Sequence, residues 1–192
     1  MKSRAFWRGV LTLLCITVAA GALLSFVYEV TKEPIARAET AARAEAYRNV
    51  YPGAADFAEI EDGEARLAAA AAALPEAGYA RVTVSDALAV LDENGAVVGY
   101  VLSATSPNGY AGDVKIALGV AADGTICGFE PLAHSESPGY GARCDEEAYR
   151  ASFAGKTEAA QIDGISGATY TTEAIREAVG AALYTVTHFL TE

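Results

Sequence analysis

The sequence predicts an α+β fold, with one N-terminal transmembrane helix followed by a single domain in which helices flank an antiparallel sheet. Three observations predict it. Gly9 to Tyr28 is an uncharged, largely apolar run of twenty residues, the length of one bilayer-spanning helix. From Val82 the texture changes to short apolar runs broken by turn pairs, the pattern of hairpins. Near the end Ala174, Ile175, Ala178, Val179, Ala182, Leu183, Val186 and Leu190 recur at steps of three and four, the spacing of one buried helical face.

Taken in order, residues 1–8 are a short tail carrying Lys2, Arg4 and Arg8 and no acid. Residues 9–28 follow as the span. A cleaved signal peptide is the alternative, since Ala20-Gly21-Ala22 has the small-x-small form of a cleavage site, but the apolar run continues through Leu23, Leu24, Phe26 and Val27, which favours an uncleaved anchor. Cys15 follows Leu13-Leu14 and reads as an ordinary apolar position. Residues 29–80 read as a stalk helix and an Ala-rich linker. Thr31 to Ile35 suits a helix start with Pro34 in its first turn, Pro52-Gly53 stops the stalk, and Arg66 to Leu74 reads as a short surface helix or linker. Residues 81–192 form the domain. Val82–Leu91 and Ala96–Thr105 flank Glu93-Asn94-Gly95, and Val114–Ala121 and Thr125–Leu132 flank Asp123-Gly124, giving two hairpins. One helix is expected around Glu146 to Phe153 and another from about Thr172, capped by Thr171 or Thr172.

All twenty-five acids lie at or after Glu29, and the net charge is −11. So acidic a domain argues against nucleic acid as a partner and against anionic lipid, while solubility alone explains the charge. Roughly 160 residues beyond the span suffice for one core and not comfortably for two. Cys127 and Cys144 are the domain's cysteines; a disulfide between them is compatible with an oxidising compartment and not deducible from sequence. With two His and no Cys-x-x-Cys pair, neither a zinc nor an iron–sulfur motif is expected. No metal is assigned, and any redox cofactor is organic.

The most informative stretch is Asp163-Gly164-Ile165-Ser166-Gly167-Ala168-Thr169-Tyr170-Thr171-Thr172. Small hydroxylic residues before a helix are also what an ordinary loop and N-cap look like. Ser-Gly-Ala-Thr with an Asp three residues upstream is nevertheless expected by chance in only on the order of one in several thousand chains of this length. The location also suits an anion. Thr169 stands just ahead of a helix N-terminus, where open N–H groups and the positive dipole end favour phosphate by up to about 2 kcal/mol, and Gly164 and Gly167 leave room for a bulky group.

This stretch resembles the attachment motif of the FMN-binding domain family, in which the threonine closing a Ser/Thr-Gly-Ala-Thr run carries FMN through a phosphoester. Residue by residue, the resemblance makes Thr169 the carrier and Ser166, Gly167, Ala168 and Asp163 its recognition sequence. A threonine hydroxyl is unreactive without an activating base or metal, and the resemblance implies a separate flavin transferase that uses FAD and magnesium. Asp163 has a local alternative, an Asx turn to Gly164 or Ile165. Two further segments resemble the family: Gly109-Tyr110-Ala111-Gly112, and His134-Ser135-Glu136-Ser137-Pro138-Gly139-Tyr140-Gly141, the counterpart of a His-x-Glu-Thr-Pro-Gly-Leu-Gly loop. Ser137 keeps the hydroxyl of the usual threonine; Tyr140 replaces the usual leucine and changes the pocket there. Bottom-up, this loop is a rigid turn offering amides, a hydroxyl and an aromatic ring to a ligand, or a plain strand-to-helix connection. Tyr110, Glu136, Ser137, Gly139, Tyr140 and Gly141 are the further flavin-contact candidates, and His134 reads as a hydrogen-bonded structural histidine.

A single anchor, a short stalk and one flavin domain look most like the G subunit of Rnf complexes, which couple electron transfer between ferredoxin and NAD to sodium or proton translocation. That resemblance implies a relay with one covalent FMN and no substrate chemistry of its own, with other membrane subunits as partners. It also implies a domain on the extracytoplasmic side of the cell membrane with the N-terminus inside; Lys32, Arg37 and Arg43 nearly balance the positive charges ahead of the span, so charge counting alone does not set the orientation. A stand-alone extracytoplasmic FMN electron carrier and an anchored binding domain without cofactor are the alternatives.

Overall fold

Apolar residues dominate the stretch from Val10 to Tyr28 and no proline interrupts it, and the computed structural model, which describes residues 2–191, begins with helix α1 at Lys2–Val50. The chain divides into two compact units, residues 1–42 and 43–192. The stretch Phe6–Val50, most of it in the first unit, is a helix long and apolar enough to cross a membrane, with Leu13, Ile16, Leu23, Leu24 and Phe26 all exposed. Its hydroxyls turn inward: Thr12, Thr17 and Thr31 donate to the carbonyls of Arg8, Leu13 and Val27 at 2.9, 2.8 and 2.8 Å, which satisfies them without water. No new helix starts at Thr31. α1 runs through Pro34, and Thr31 bonds backwards instead of capping forwards.

The second unit is built on a five-stranded antiparallel meander: β1 (Asp56–Ala58), β2 (Thr83–Leu91), β3 (Val97–Ser106), β4 (Val114–Ala121) and β5 (Ile126–Ala133), in that spatial order. Both expected hairpins form, for the expected reason. Asp92 Oδ1 accepts from the amides of Asn94 and Ala96, both at 2.8 Å, and Gly95 takes φ +79°; Asp123 Oδ1 accepts from Thr125 N–H at 2.9 Å beside Gly124 at φ +86°. These are side-chain-templated turns whose glycine supplies the left-handed residue.

Period-two alternation sends Tyr100, Leu102 and Ala104 of β3 to one face and Val101 and Ser103 to the other. The main core lies on the first face. There Ile116, Leu118, Val120, Ile126 and Phe129 meet helix α4 (Thr169–Thr185) through Ala174, Ile175, Ala178, Val179 and Ala182. Helix α3 (Glu147–Ala151) follows a 3-10 turn at Gly141–Asp145 and leads to Phe153, whose ring stacks on Phe129 with centroids 3.9 Å apart. One π turn, Val186–Leu190, extends α4. On the opposite face, Ala46, Tyr47 and Val50 of α1 pack on Val90, Val101 and Ala117. Gly119 and Gly128, directly paired across β4 and β5, leave the trough that receives the Val50 carbonyl.

The second unit begins at Arg43, so residues 43–80, expected as stalk and linker, are packed with the sheet, while residues 29–42 remain on α1 in the first unit. Phe57 of β1 pairs with Val90. Helix α2 (Gly63–Ala73) buries Ala70, and Leu74 behind it joins the main core. Alanine composition concealed this, since small residues allow close packing without advertising an apolar stripe.

Arg43 is tied to β2 by a 2.6 Å ion pair with Asp86, which also accepts from the Ser103 hydroxyl at 3.0 Å. Burial opposes ionisation of Asp86, but the Arg43 and Ser103 bonds outweigh it and hold the carboxyl below its ordinary range. A depressed carboxylate stabilises the fold above its unfolded pKa of about 4 and loses that contribution as pH falls. Asp86→Asn is therefore expected to cost about 1 kcal/mol or less at pH 7, since the pair is a third exposed and screened. Denaturant titrations of variant and wild type should converge as pH falls through the depressed folded-state pKa of Asp86; a difference that persists once the carboxyl is protonated would remove the ion pair as its source.

Candidate functional site

The N-terminus of α4 is made by the small-residue run before it. Gly167 takes φ +80°, Ala168 N–H closes a turn on Ile165 O at 3.0 Å, and Thr169 is the first helical residue. The Thr172 hydroxyl locks this turn, accepting from Ile165 N–H and donating to Ala168 O, each at 3.0 Å. No side chain caps the helix. The amides of Thr169, Tyr170 and Thr171 have no intrahelical acceptor, and none finds another among the described residues.

Expected caps Thr171 and Thr172 thus lie inside the first turn, both buried, with their hydroxyls used elsewhere. Thr169 is in the helix and not ahead of it. Its side chain is exposed, and no hydrogen bond engages its hydroxyl among the described residues.

Two loops face this end. In the first, Tyr140 N–H and Ala142 N–H both reach Ser137 O at 3.2 Å, with Gly139 at φ +78°, so Ser137 to Tyr140 is the rigid turn the sequence predicts. In the second, between β3 and β4, Asn108 Nδ2 and the Ser106 hydroxyl bond Glu177 Oε2 of α4 at 2.7 and 2.8 Å, which fixes the segment carrying Tyr110. Glu136 lies between the loops, its Oε1 accepting from Ala111 N–H at 3.0 Å and its Oε2 from the Thr171 hydroxyl.

Together they enclose an open groove of about 500 Å³, within the range of small-molecule sites. Tyr110 forms one wall, Glu136 to Pro138 with Tyr140 and Gly141 another, and Gly167 to Thr171 the third. Tyr110, Tyr140 and Tyr170 are 70, 60 and 68% exposed, which leaves aromatic surface available to a flat ligand. Tyr110 and Tyr170 stand 6.5 Å apart. Glu136 is the only charged residue in the lining, and no cation balances it.

Of the residues predicted from sequence, Tyr110, Glu136, Ser137, Tyr140, Gly141, Gly167, Ala168 and Thr169 line the groove, while Gly139, Ser166 and Asp163 do not. Asp163 forms no Asx turn. It pairs with Lys156 at 3.0 Å, and the Ile165 amide it was expected to hold goes to Thr172. Tyr170 and Thr171 also line the groove; position beside Thr169 on the first helical turn was the signal available for both.

His134 lies behind the groove, its Nε2 against Asp145 at 3.0 and 3.1 Å and its Nδ1 accepting from Glu136 N–H at 3.2 Å. Nδ1 as acceptor puts the proton of a neutral ring on Nε2. Although His134, Cys144 and Asp145 converge within 4.8 Å, this tautomer offers a metal no lone pair, and burial pushes the Cys144 thiol up to about 12. Cys127 and Cys144 are both free. Cys127 neighbours Tyr51 on one face of the sheet and Cys144 joins the core on the other, so no disulfide links them.

The FMN-binding domain family matches residues 109–184, and the RnfG N-terminal region matches residues 1–50. The G subunit of the ion-translocating oxidoreductase complex of Methanosarcina acetivorans is 28% identical over 190 residues, covering 94% of each chain. Its namesake in Aliivibrio fischeri is 30% identical over 189 residues, covering 91% of this chain and 87% of its own. The G subunit of the Na(+)-translocating ferredoxin:NAD(+) oxidoreductase complex of Acetobacterium woodii is 27% identical over 187 residues, with 90% and 87% covered. With the FMN-binding match spanning every wall of the groove and relatives aligned over nearly the whole chain, the protein belongs to the family of G subunits of ion-translocating oxidoreductase complexes.

Proposed function

We propose that this chain is a membrane-anchored electron carrier of an Rnf-type complex, with one FMN covalently attached through a phosphoester to Thr169. The observation that carries the reading is the Thr169 hydroxyl, exposed and unbonded, on the first residue of a helix whose three leading amides are open.

The groove's charge explains why the link is covalent. Free FMN carries nearly two negative charges at neutral pH, and this groove offers it one carboxylate and no cation. Esterification leaves a single charge on the phosphate, and the amides of Thr169, Tyr170 and Thr171 suffice for that. Tyr110, Tyr140 and Tyr170 would hold the ring by stacking. FMN, once bound, accepts and releases one or two electrons.

Attachment requires the Thr169 oxygen to displace AMP from FAD at the flavin-side phosphorus, with the hydroxyl proton released. No base contacts that hydroxyl here, so a flavin transferase supplies the base and magnesium. Phe6–Val50 contains the anchor, and the likeness to Rnf G subunits supports a cytoplasmic N-terminus with the flavin domain on the extracytoplasmic side. The other membrane subunits of the complex pass electrons between ferredoxin and NAD, and their flow through this relay drives ion translocation.

Coexpressed with a flavin transferase, the full-length chain is expected to gain the mass of one FMN residue and to fluoresce in a denaturing gel. A wild-type chain of unmodified mass would overturn the reading.

A further inference from the structure

Glu136 is only 6% exposed, and both of its carboxylate oxygens are engaged by different segments. Oε1 takes the Ala111 amide of the β3–β4 loop, and Oε2 takes the Thr171 hydroxyl of α4. Space for it comes from two glycines. A Cβ at Gly109 would stand 2.7 Å from Oε1, and one at Gly141 would stand 2.5 Å from Oε2. The three walls of the groove therefore meet at one carboxylate, and each wall carries one of the exposed tyrosines.

That carboxylate also bonds two residues downstream of Thr169, at the positive end of α4, where a negative charge is favoured. It is the only acidic side chain in the groove's lining.

We propose that Glu136 is the positioning residue of the flavin groove: it fastens the Tyr110 loop to α4 and holds a fixed negative charge beside the cofactor. The charge half of this rests on the FMN reading of Thr169. Electron uptake adds negative charge to the bound flavin, so a neighbouring carboxylate opposes it and lowers the midpoint potential. Glu136→Gln separates the two roles. The amide oxygen still accepts from Ala111, the amide N–H can donate to the Thr171 oxygen, and the charge is gone. Glu136→Ala removes both.

The test uses the full-length protein, with hydrogen exchange read at the Ala111 amide and the flavin potential read by spectroelectrochemical titration. Ala111 is expected to exchange about tenfold or more faster in Glu136→Ala than in wild type, because a hydrogen bond to an ionised group is lost, with most of the protection recovered in Glu136→Gln. The flavin of Glu136→Gln is expected to titrate at a more positive potential. Equal exchange at Ala111 in wild type and Glu136→Ala would overturn the latch, and an unshifted potential in Glu136→Gln would overturn the charge. Should the wild type carry no covalent flavin, the Thr169 reading falls, and Ala111 exchange alone decides the role of Glu136 by the same criterion.

Discussion

Thr169→Ala is expected to abolish covalent flavin completely while leaving the fold unchanged. The Thr169 side chain is exposed and makes no hydrogen bond, so truncating it should move stability by no more than about 0.5 kcal/mol. The other threonines of the run cannot substitute for it. Thr171 is buried against Glu136, and Thr172 is buried in the turn it locks, each with its hydroxyl already donating. Thr169→Ser keeps the hydroxyl and is expected to accept flavin. Nor should free FMN stay in the alanine variant through purification, because a cation-free groove holding one carboxylate repels a phosphate with nearly two charges. Intact mass, gel fluorescence and a melting curve on the three proteins decide it. Covalent flavin surviving in Thr169→Ala would move the attachment elsewhere, and a collapsed melting curve would make the loss of flavin a folding effect.

What the sequence announced and what it concealed divide along one physical line. Hairpins were legible because Asp92-Glu93-Asn94-Gly95 and Asp123-Gly124 make their turns from local hydrogen bonds, and the α4 core face was legible because helical periodicity is local. The head of α4 was misplaced by three residues. Thr171 and Thr172 have cap chemistry, but the hydroxyl of one serves a carboxylate 35 positions away, and that of the other closes the preceding turn. Ala168, which cannot cap, precedes the helix instead, and the amides are left open where a ligand belongs. In the groove, Thr169 and the two loops were legible through resemblance. Their convergence on Glu136 was not, because it depends on glycines at 109 and 141 whose importance is the absence of a side chain. The strand glycines at 119 and 128 were silent for the same reason, since nothing in an apolar run tells that a helix end will lie across it.

Gly119→Val tests that last contact and is expected to be the most destabilising change on the outer face of the sheet. A Cβ at position 119 would overlap the Val50 carbonyl oxygen and approach the Val50 carbon to 2.8 Å, far inside van der Waals contact. Valine adds two methyl groups to that collision. The helix end cannot step aside cheaply, because Val50 is fully buried and the Tyr51 hydroxyl is fixed to Val98 O at 3.0 Å. Retreat is also blocked at Gly128, where a Cβ would stand 2.6 Å from the same oxygen, leaving β4 no room to shift the clash onto β5. Overpacking of this kind costs about 1–3 kcal/mol, and with backbone on both sides of the contact the upper end applies. At about 2–4 °C per kcal/mol for a domain of this size, the melting temperature should fall by about 6–12 °C. Gly164→Ala is the control, since its Cβ would meet only Thr172 Cγ2 at 3.8 Å, an ordinary contact. Below the new melting temperature Gly119→Val should still take flavin on Thr169, because α4 packs on the opposite face of the sheet from Val50. An unchanged melting curve would mean that the end of α1 is not seated in the glycine trough, and a variant that melts normally but rejects flavin would mean that the seat and the groove are coupled through the sheet.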